Sequence, residues 1–253
     1  MAHSTKTTAD DPDTTKGVAA YSPSFLSLLY DRLVLGLYIS YAWRCPTKTQ
    51  LLPFFIANSS PADHPTKDSP TTGSSPPRRL LDIGVGTGYF LEHAPLTSLT
   101  SLTLIDLNSN CLDAATARVH KAHPHLACST VQADFLAPLP AAVGADGKFD
   151  AISVMLLLHC VPGPPSRKAA ALVALKDLLT ADGVLFGSTV LGQGVRHNLL
   201  GRFLMWWHNR AGIFTNRDDA AKSFVEPLQD AFDDVKWRVV GATLLFEARG
   251  PRA

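Results

Sequence analysis

"LLDIGVGTGYFLE", from Leu80 to Glu92, sets an apolar strand, a carboxylate, three glycines at alternate positions and the opening of a helix side by side in thirteen residues. A glycine loop that follows a strand and precedes a helix sits at the carboxyl end of a sheet, where open α/β folds bind ligands. Its spacing narrows the ligand. A dinucleotide fingerprint, G-x-G-x-x-G/A, needs a small third residue so that the helix packs close to the strand under a pyrophosphate. Counting from Gly84 puts Tyr89 there, and counting from Gly86 puts Leu91 there. The Gly-Lys-Ser/Thr ending of a P-loop is missing too, so a phosphate cradle is disfavoured. What remains is D-x-G-x-G-x-G, whose strand ends in Asp82, a carboxylate that repels pyrophosphate and suits a cation.

Working outward, short apolar runs alternate with helical patterns: "RLLDIG", "LTLIDL", "STVQAD", "FDAISVML", "GVLFGSTV", then "VKWRVVG" and "TLLFEAR". Seven strands interleaved with amphipathic segments such as "NSNCLDAATARVHKAH" and "PSRKAAALVALKDLLTADG" predict a mostly parallel sheet with helices on both faces. Gly183 is expected to stop the second helix. The last two runs meet at Gly241-Ala242 with no room for a helix, so they are expected to form an antiparallel hairpin on the sheet edge. The chain is 253 residues long, and 46% of them are apolar. That suffices for one sizeable core and leaves little for a second.

Upstream, residues 1–17 are rich in Thr, Asp and Lys and read as a disordered tail. The tail has no apolar core like a signal peptide's, and its three aspartates argue against a mitochondrial presequence. Residues 18–57 read as a helical cap. Within them "FLSLLYDRLVLGLYISYAW" approaches membrane-spanning length but is interrupted by Asp31, Arg32 and Gly36, and it lacks the Lys-rich face of an interfacial helix. A pair of amphipathic helices is expected there. Residues 58–77, "NSSPADHPTKDSPTTGSSPP", read as a flexible insertion, and residues 78–253 as the core. Cys45, Cys111, Cys128 and Cys160 have no C-x-x-C pairing or regular spacing. That excludes a zinc or disulfide framework and points to a reducing, cytoplasmic setting. A net charge of +1 offers no basic footprint for nucleic acid.

With these residues in place, "LLDIGVGTGYF" resembles motif I of the class I S-adenosylmethionine-dependent methyltransferases, with their Rossmann-like core. The resemblance continues in order through Val161. It assigns Asp82, Gly84, Gly86 and Gly88 to the cofactor loop. In "LTLIDLN", Asp106 matches the ribose-binding acid and is followed by Leu107. In "VQADF", Asp134 matches the contact to the adenine amino group, with Phe135 along the base, and "FDAISVMLLLHCV" brings Met155 to the fourth strand's exit. The implied cofactor is S-adenosyl-L-methionine, leaving as S-adenosyl-L-homocysteine. Asp82 and Asp106 also have a plainer reading as caps of the helices that follow them.

A sulfonium is already a good electrophile, so such an enzyme chiefly aligns the acceptor and excludes water. A hydroxyl or carbon acid also needs a base, and His suits neutral pH. His159, beyond the fourth strand, is the first candidate, although a histidine at this place in the family often serves structure. His197 and His208 lie in the insertion at about 192–216, where the family faces its substrate, so either can serve instead. Trp206 and Trp207 can stack on an acceptor, with one expected to pack and the other to face the cleft. Tyr21, Tyr30 and Arg44 belong to the cap, which in similar enzymes closes over the cofactor. "HKAHPH" at His120, His123 and His125 has no acid or cysteine at metal-ligand spacing, and reads as a solvated helix end rather than a metal site.

The strand-four exit reads "SVML" rather than Asn/Asp-Pro-Pro-aromatic, which sets the chain apart from enzymes acting on adenine or glutamine amides. The expected activity is methyl transfer to the O, N, S or C atom of a small organic acceptor. The overall look is that of ubiquinone-methylase-like enzymes of secondary metabolism. A non-methylating cyclisation or rearrangement on the same scaffold, or a cofactor-sensing protein, is the alternative.

Overall fold

The computed structural model describes residues 31–59 and 78–252, built around one seven-stranded sheet. Its strands are β1 (Arg78–Ile83), β2 (Leu99–Asp106), β3 (Ala127–Gln132), β4 (Phe149–Met155), β5 (Leu179–Val190), β6 (Phe232–Val240) and β7 (Thr243–Pro251). They lie in the order β3-β2-β1-β4-β5-β7-β6. The first five are parallel, while β7 runs antiparallel to β5 and β6 antiparallel to β7. The strand order reverses between β1 and β4, and such a switch point opens a crevice at the carboxyl ends.

Successive strand residues serve opposite faces. Leu80, Ala151, Val184 and Phe186 join one apolar layer, and Leu81, Ile152 and Leu185 join the other. The first layer is covered by α1 (Leu52–Ser59), α2 (Tyr89–His93) and α3 (Ser109–Ala122), through Phe55, Leu91, Leu112, Ala115 and Val119. The second is covered by α4 (Pro165–Ala174) and α6 (Ala221–Ala231), through Ala169, Leu172, Phe224 and Leu228. Between them in sequence, α5 (Leu199–Ala211) starts at Asn198, whose side chain accepts from Gly201 N at 2.7 Å, and stops at the left-handed Gly212.

Several expectations are corrected. Gly183 does not end a helix: α4 stops at Ala174, a 3-10 turn covers Leu175–Leu178, and Gly183 lies inside β5. Leu179 pairs with Phe149 on β4, and the register then jumps so that Ala151 meets Val184, an irregularity that absorbs the polar residues between. Asn58 and Ser59 are not part of a flexible insertion, because they close α1 and are buried. His123 is not solvated; it is buried, and its Nε2 lies 2.9 Å from the Leu91 carbonyl.

The N-terminal part of the described chain is a helix over Asp31–Ala42 with the wider bonding of a π-helix. It packs against α5 and is followed by Trp43, whose carbonyl accepts from Ala242 N at 2.8 Å. The β6–β7 turn therefore docks on the cap. The tail at 1–17, most of the insertion, and Tyr21 and Tyr30 lie outside the described residues.

Candidate active site

The carboxyl ends of β1, β2 and β4, together with the loop after β3, surround a cavity of about 150 Å³. Asp82, Gly84, Gly86, Asp106, Leu107, Asp134, Phe135 and Met155 all line it. Each side chain or backbone edge is held by its own strand end. Gly84 N donates to the Ile105 carbonyl at 2.7 Å, tying the loop to β2. Gly86 N donates to Asp106 Oδ2 at 3.2 Å, and Asn108 N donates to Asp106 Oδ1 at 2.9 Å. Asp106 therefore steadies the glycine loop and the start of α3, while the cap of α3 is Asn108. Asp134 Oδ1 accepts from Leu136 N at 2.9 Å, which fixes the turn carrying Phe135.

The three glycines divide the work. All have left-handed backbones, with φ of 73° at Gly84, 54° at Gly86 and 75° at Gly88. A Cβ on Gly84 would come within 2.7 Å of the Leu157 side chain, whereas one on Gly86 would meet nothing within 4 Å. Gly86 thus leaves open space where a ligand can approach the backbone. Gly88, expected beside the cofactor, does not line the cavity. A Cβ there would stand 2.8 Å from Ala115 Cα, so its smallness serves the packing of the loop on α3.

Electrostatically the cavity is one-sided. Among the described residues its lining includes three carboxylates and no Lys, Arg or His. Asp82 is buried, and burial pushes its carboxyl up from the ordinary 3.8 to about 7. Ser153, its register partner on β4, opposes that shift although its Oγ makes no regular hydrogen bond, and the Asp106 charge adds to it. Burial also raises Asp106, against the stabilising N–H groups of Asn108 and Gly86. Two neighbouring acids held above their ordinary range suit a cation as a third party.

The profile of the methyltransferase-domain family matches residues 56–222. Among curated proteins, methyltransferase verB of Penicillium polonicum is 41% identical over 88% of this chain and 93% of its own. The physcion biosynthesis cluster O-methyltransferase of Aspergillus chevalieri is 40% identical over 94% of this chain and 97% of its own. Among solved structures, N-methyltransferase NodS of Bradyrhizobium japonicum, in complex with S-adenosyl-L-homocysteine, shares the fold. Its TM-score is 0.50 at 19% identity, over 69% of this chain and 79% of its own. The chain belongs to the methyltransferase family.

Several lining residues of this methyltransferase escaped the sequence reading. Tyr89, Phe90 and Cys111 line the cavity from the first turns of α2 and α3, and were findable as the residues just past each strand-end loop. Leu156, Leu157, Cys160, Val161 and Pro162 come from the β4 exit. Leu156 has φ 55° and donates its N–H to the Ser188 carbonyl at 2.8 Å, a strained bend that no sequence signal announces. Ile213 is brought in from far along the chain.

The proposed bases stand apart from this cavity. His159 does not line it. Its ring is buried edge-on against Phe214 at 4.5 Å, with Nδ1 3.4 Å from both Val190 N and Thr189 Oγ1. Burial, then the Lys168 charge and His208, push it down to about 3, so it is neutral at physiological pH. His197 lies edge-on to Trp43 and His208 lies against Phe214; burial lowers both, and neither lines the cavity. Arg44 is exposed, outside the lining, with a positive φ of 56°. Trp206 and Trp207 are 56% and 51% exposed, so neither packs and neither faces the cavity.

Proposed function

We propose that this methyltransferase holds S-adenosylmethionine in the cavity at the β1/β4 switch point and delivers the methyl to a small, largely apolar acceptor. When bound, the cofactor supplies an electrophilic methyl on a cationic sulfur. The observation that supports this fit is the juxtaposition of the open space at Gly86 with Asp82, buried, and Asp106, partly buried, both held above their ordinary range with no cationic side chain among the described lining residues. Asp106 is assigned to the ribose hydroxyls and Asp134 to the adenine amino group, with Phe135 along the base and Leu107 and Met155 completing the slot. Asp82 supplies negative charge facing the cationic part.

Beyond that slot, Leu156, Leu157, Cys160, Val161 and Ile213 make the wall where an acceptor would lie. Their work is to exclude water and orient the acceptor, which lets proximity carry a large share of the barrier. Relatives that include the Aspergillus chevalieri O-methyltransferase support an acceptor from secondary metabolism. The assignment is tested by calorimetric titration with S-adenosylmethionine, S-adenosylhomocysteine and NAD. Saturable binding of the first two with none of NAD is expected. Binding of NAD alone would overturn the reading.

A further inference from the structure

We infer that α5 is a docking helix for an anionic lipid surface. Its outer face carries Leu199, Leu200, Phe203, Trp206 and Trp207, all between 42% and 82% exposed. The spacing i, i+1, i+4, i+7, i+8 puts them on one stripe of the helix, the width normally turned toward a core. A contiguous exposed stripe of this kind marks an interaction surface. Tyr41, 65% exposed, stands beside the helix start, where Asn198 Nδ2 donates to its carbonyl at 2.6 Å.

The inner side of the helix is firmly built, so the outer face is presented rather than misplaced. Leu204 is buried in the first apolar layer, and a Cβ on Gly201 would lie 2.8 Å from the Ala42 carbonyl. At the far end Asn209 Nδ2 donates to Asn216 Oδ1 at 3.0 Å.

Charge selects the occupant. From Gly183 to Arg217 the sequence contains no Asp or Glu, but it holds Arg196, Arg202, Arg210 and Arg217, all exposed. Large aromatic and Leu side chains on one stripe, with arginines on and beside it, match the interfacial helices that lie in the headgroup region of anionic membranes. With 13 residues, α5 is far shorter than the ~20 a span requires, so it would lie along the surface. The same helix leads through Gly212 to Ile213 in the cavity wall, so the docking helix and the cavity are joined by a short stretch of chain.

The test is flotation of the full chain with phosphatidylcholine vesicles and with vesicles that also contain phosphatidylserine, alongside sedimentation velocity without lipid. Binding to the phosphatidylserine vesicles is expected, weakening with salt. It should fall roughly thirtyfold in Arg202→Gln/Arg210→Gln, since each cation near such a surface contributes about fivefold. Trp206→Ser/Trp207→Ser should lose binding as well, while its cofactor affinity by calorimetry stays at the wild-type value. Absence of binding, or equal binding to both vesicle types that ignores the Arg substitutions, would overturn the inference. So would a lipid-free dimer that Trp206→Ser/Trp207→Ser converts to monomer, because the face would then belong to a second copy.

Discussion

Two halves of the cavity are built on different plans. At the ends of β1, β2 and β3 the wall carries three carboxylates and the glycine-loop backbone among apolar side chains, and each carboxylate sits within a few residues of a strand end. Past β5, residues 191–219 contribute Ile213 alone to the wall, while their polar groups hold one another in place. Lys168 Nζ, fully buried on α4, contacts both Asp219 oxygens at 3.0 and 2.8 Å and the Thr215 carbonyl at 2.8 Å. Asn216 Nδ2 donates to the Val190 carbonyl at 2.8 Å, and Thr215 N donates to the His159 carbonyl at 2.9 Å. One half gathers carboxylates and open backbone around the cavity, and the other uses buried polar contacts to position an apolar surface.

The most severe break of this contrast is on the scaffold side. Lys168→Met leaves the Asp219 carboxylate buried without its partner, which typically costs about 3–5 kcal/mol of stability. Urea unfolding should show that loss, and Lys168→Met/Asp219→Leu should recover much of it. A single variant as stable as wild type would mean that the insertion is held by its apolar contacts. Of comparable size is Asp106→Ala on the carboxylate side. A charged acceptor contributes on the order of 1.5–3 kcal/mol per hydrogen bond, so if Asp106 holds both ribose hydroxyls as proposed, its loss should weaken S-adenosylmethionine binding at least a hundredfold in calorimetry. Unchanged affinity would remove Asp106 from the site and collapse the division between the halves.

The same division explains what could be read in the sequence. The ligand half was legible because its geometry is local: a carboxylate at a strand end and glycines where the backbone turns left-handed lie next to one another in the chain. Short apolar runs between helical patterns placed all seven strands for the same reason. The other half depends on contacts across long separations. Nothing near His159 in sequence announces Phe214 or Lys168, and nothing near Ile213 announces the cavity. The packing demand on Gly88 comes from Ala115 on another helix and leaves no local signal, and at Gly183 a glycine after an apolar helical pattern looks like a stop whether or not a strand partner awaits. Trp206 and Trp207 were assigned opposite faces by their 100° offset, but an apolar stripe broad enough to start at Leu199 and Leu200 holds both.

Protonation gives a finer probe of the ligand half. Because the Asp82 carboxyl sits at about 7 rather than 3.8, ionising it costs the folded, ligand-free protein. Its contribution to stability is fully present below about 3.8 and is lost as pH rises through about 7. A bound cation favours the ionised form, so binding should release protons. Affinity for S-adenosylmethionine should then fall, up to about tenfold per pH unit, as pH drops below 7. In Asp82→Asn this dependence should vanish, and a pH-independent wild type would separate Asp82 from the cation.

The smallest effect is expected at His159, where the two halves meet. A ring held near 3 takes no proton at neutral pH, so its replacement should show in folding rather than turnover. His159→Asn should lower the melting temperature, because Val190 N and Thr189 Oγ1 lose their present neighbour, while kcat changes by less than about threefold, well short of the hundredfold or more that loss of a general base costs. The pH–rate profile should keep its shape. Should kcat instead fall a hundredfold with the ascending limb of the profile displaced, the ring would have to turn from Phe214 into the cavity during turnover, and the positioning half would carry chemistry of its own.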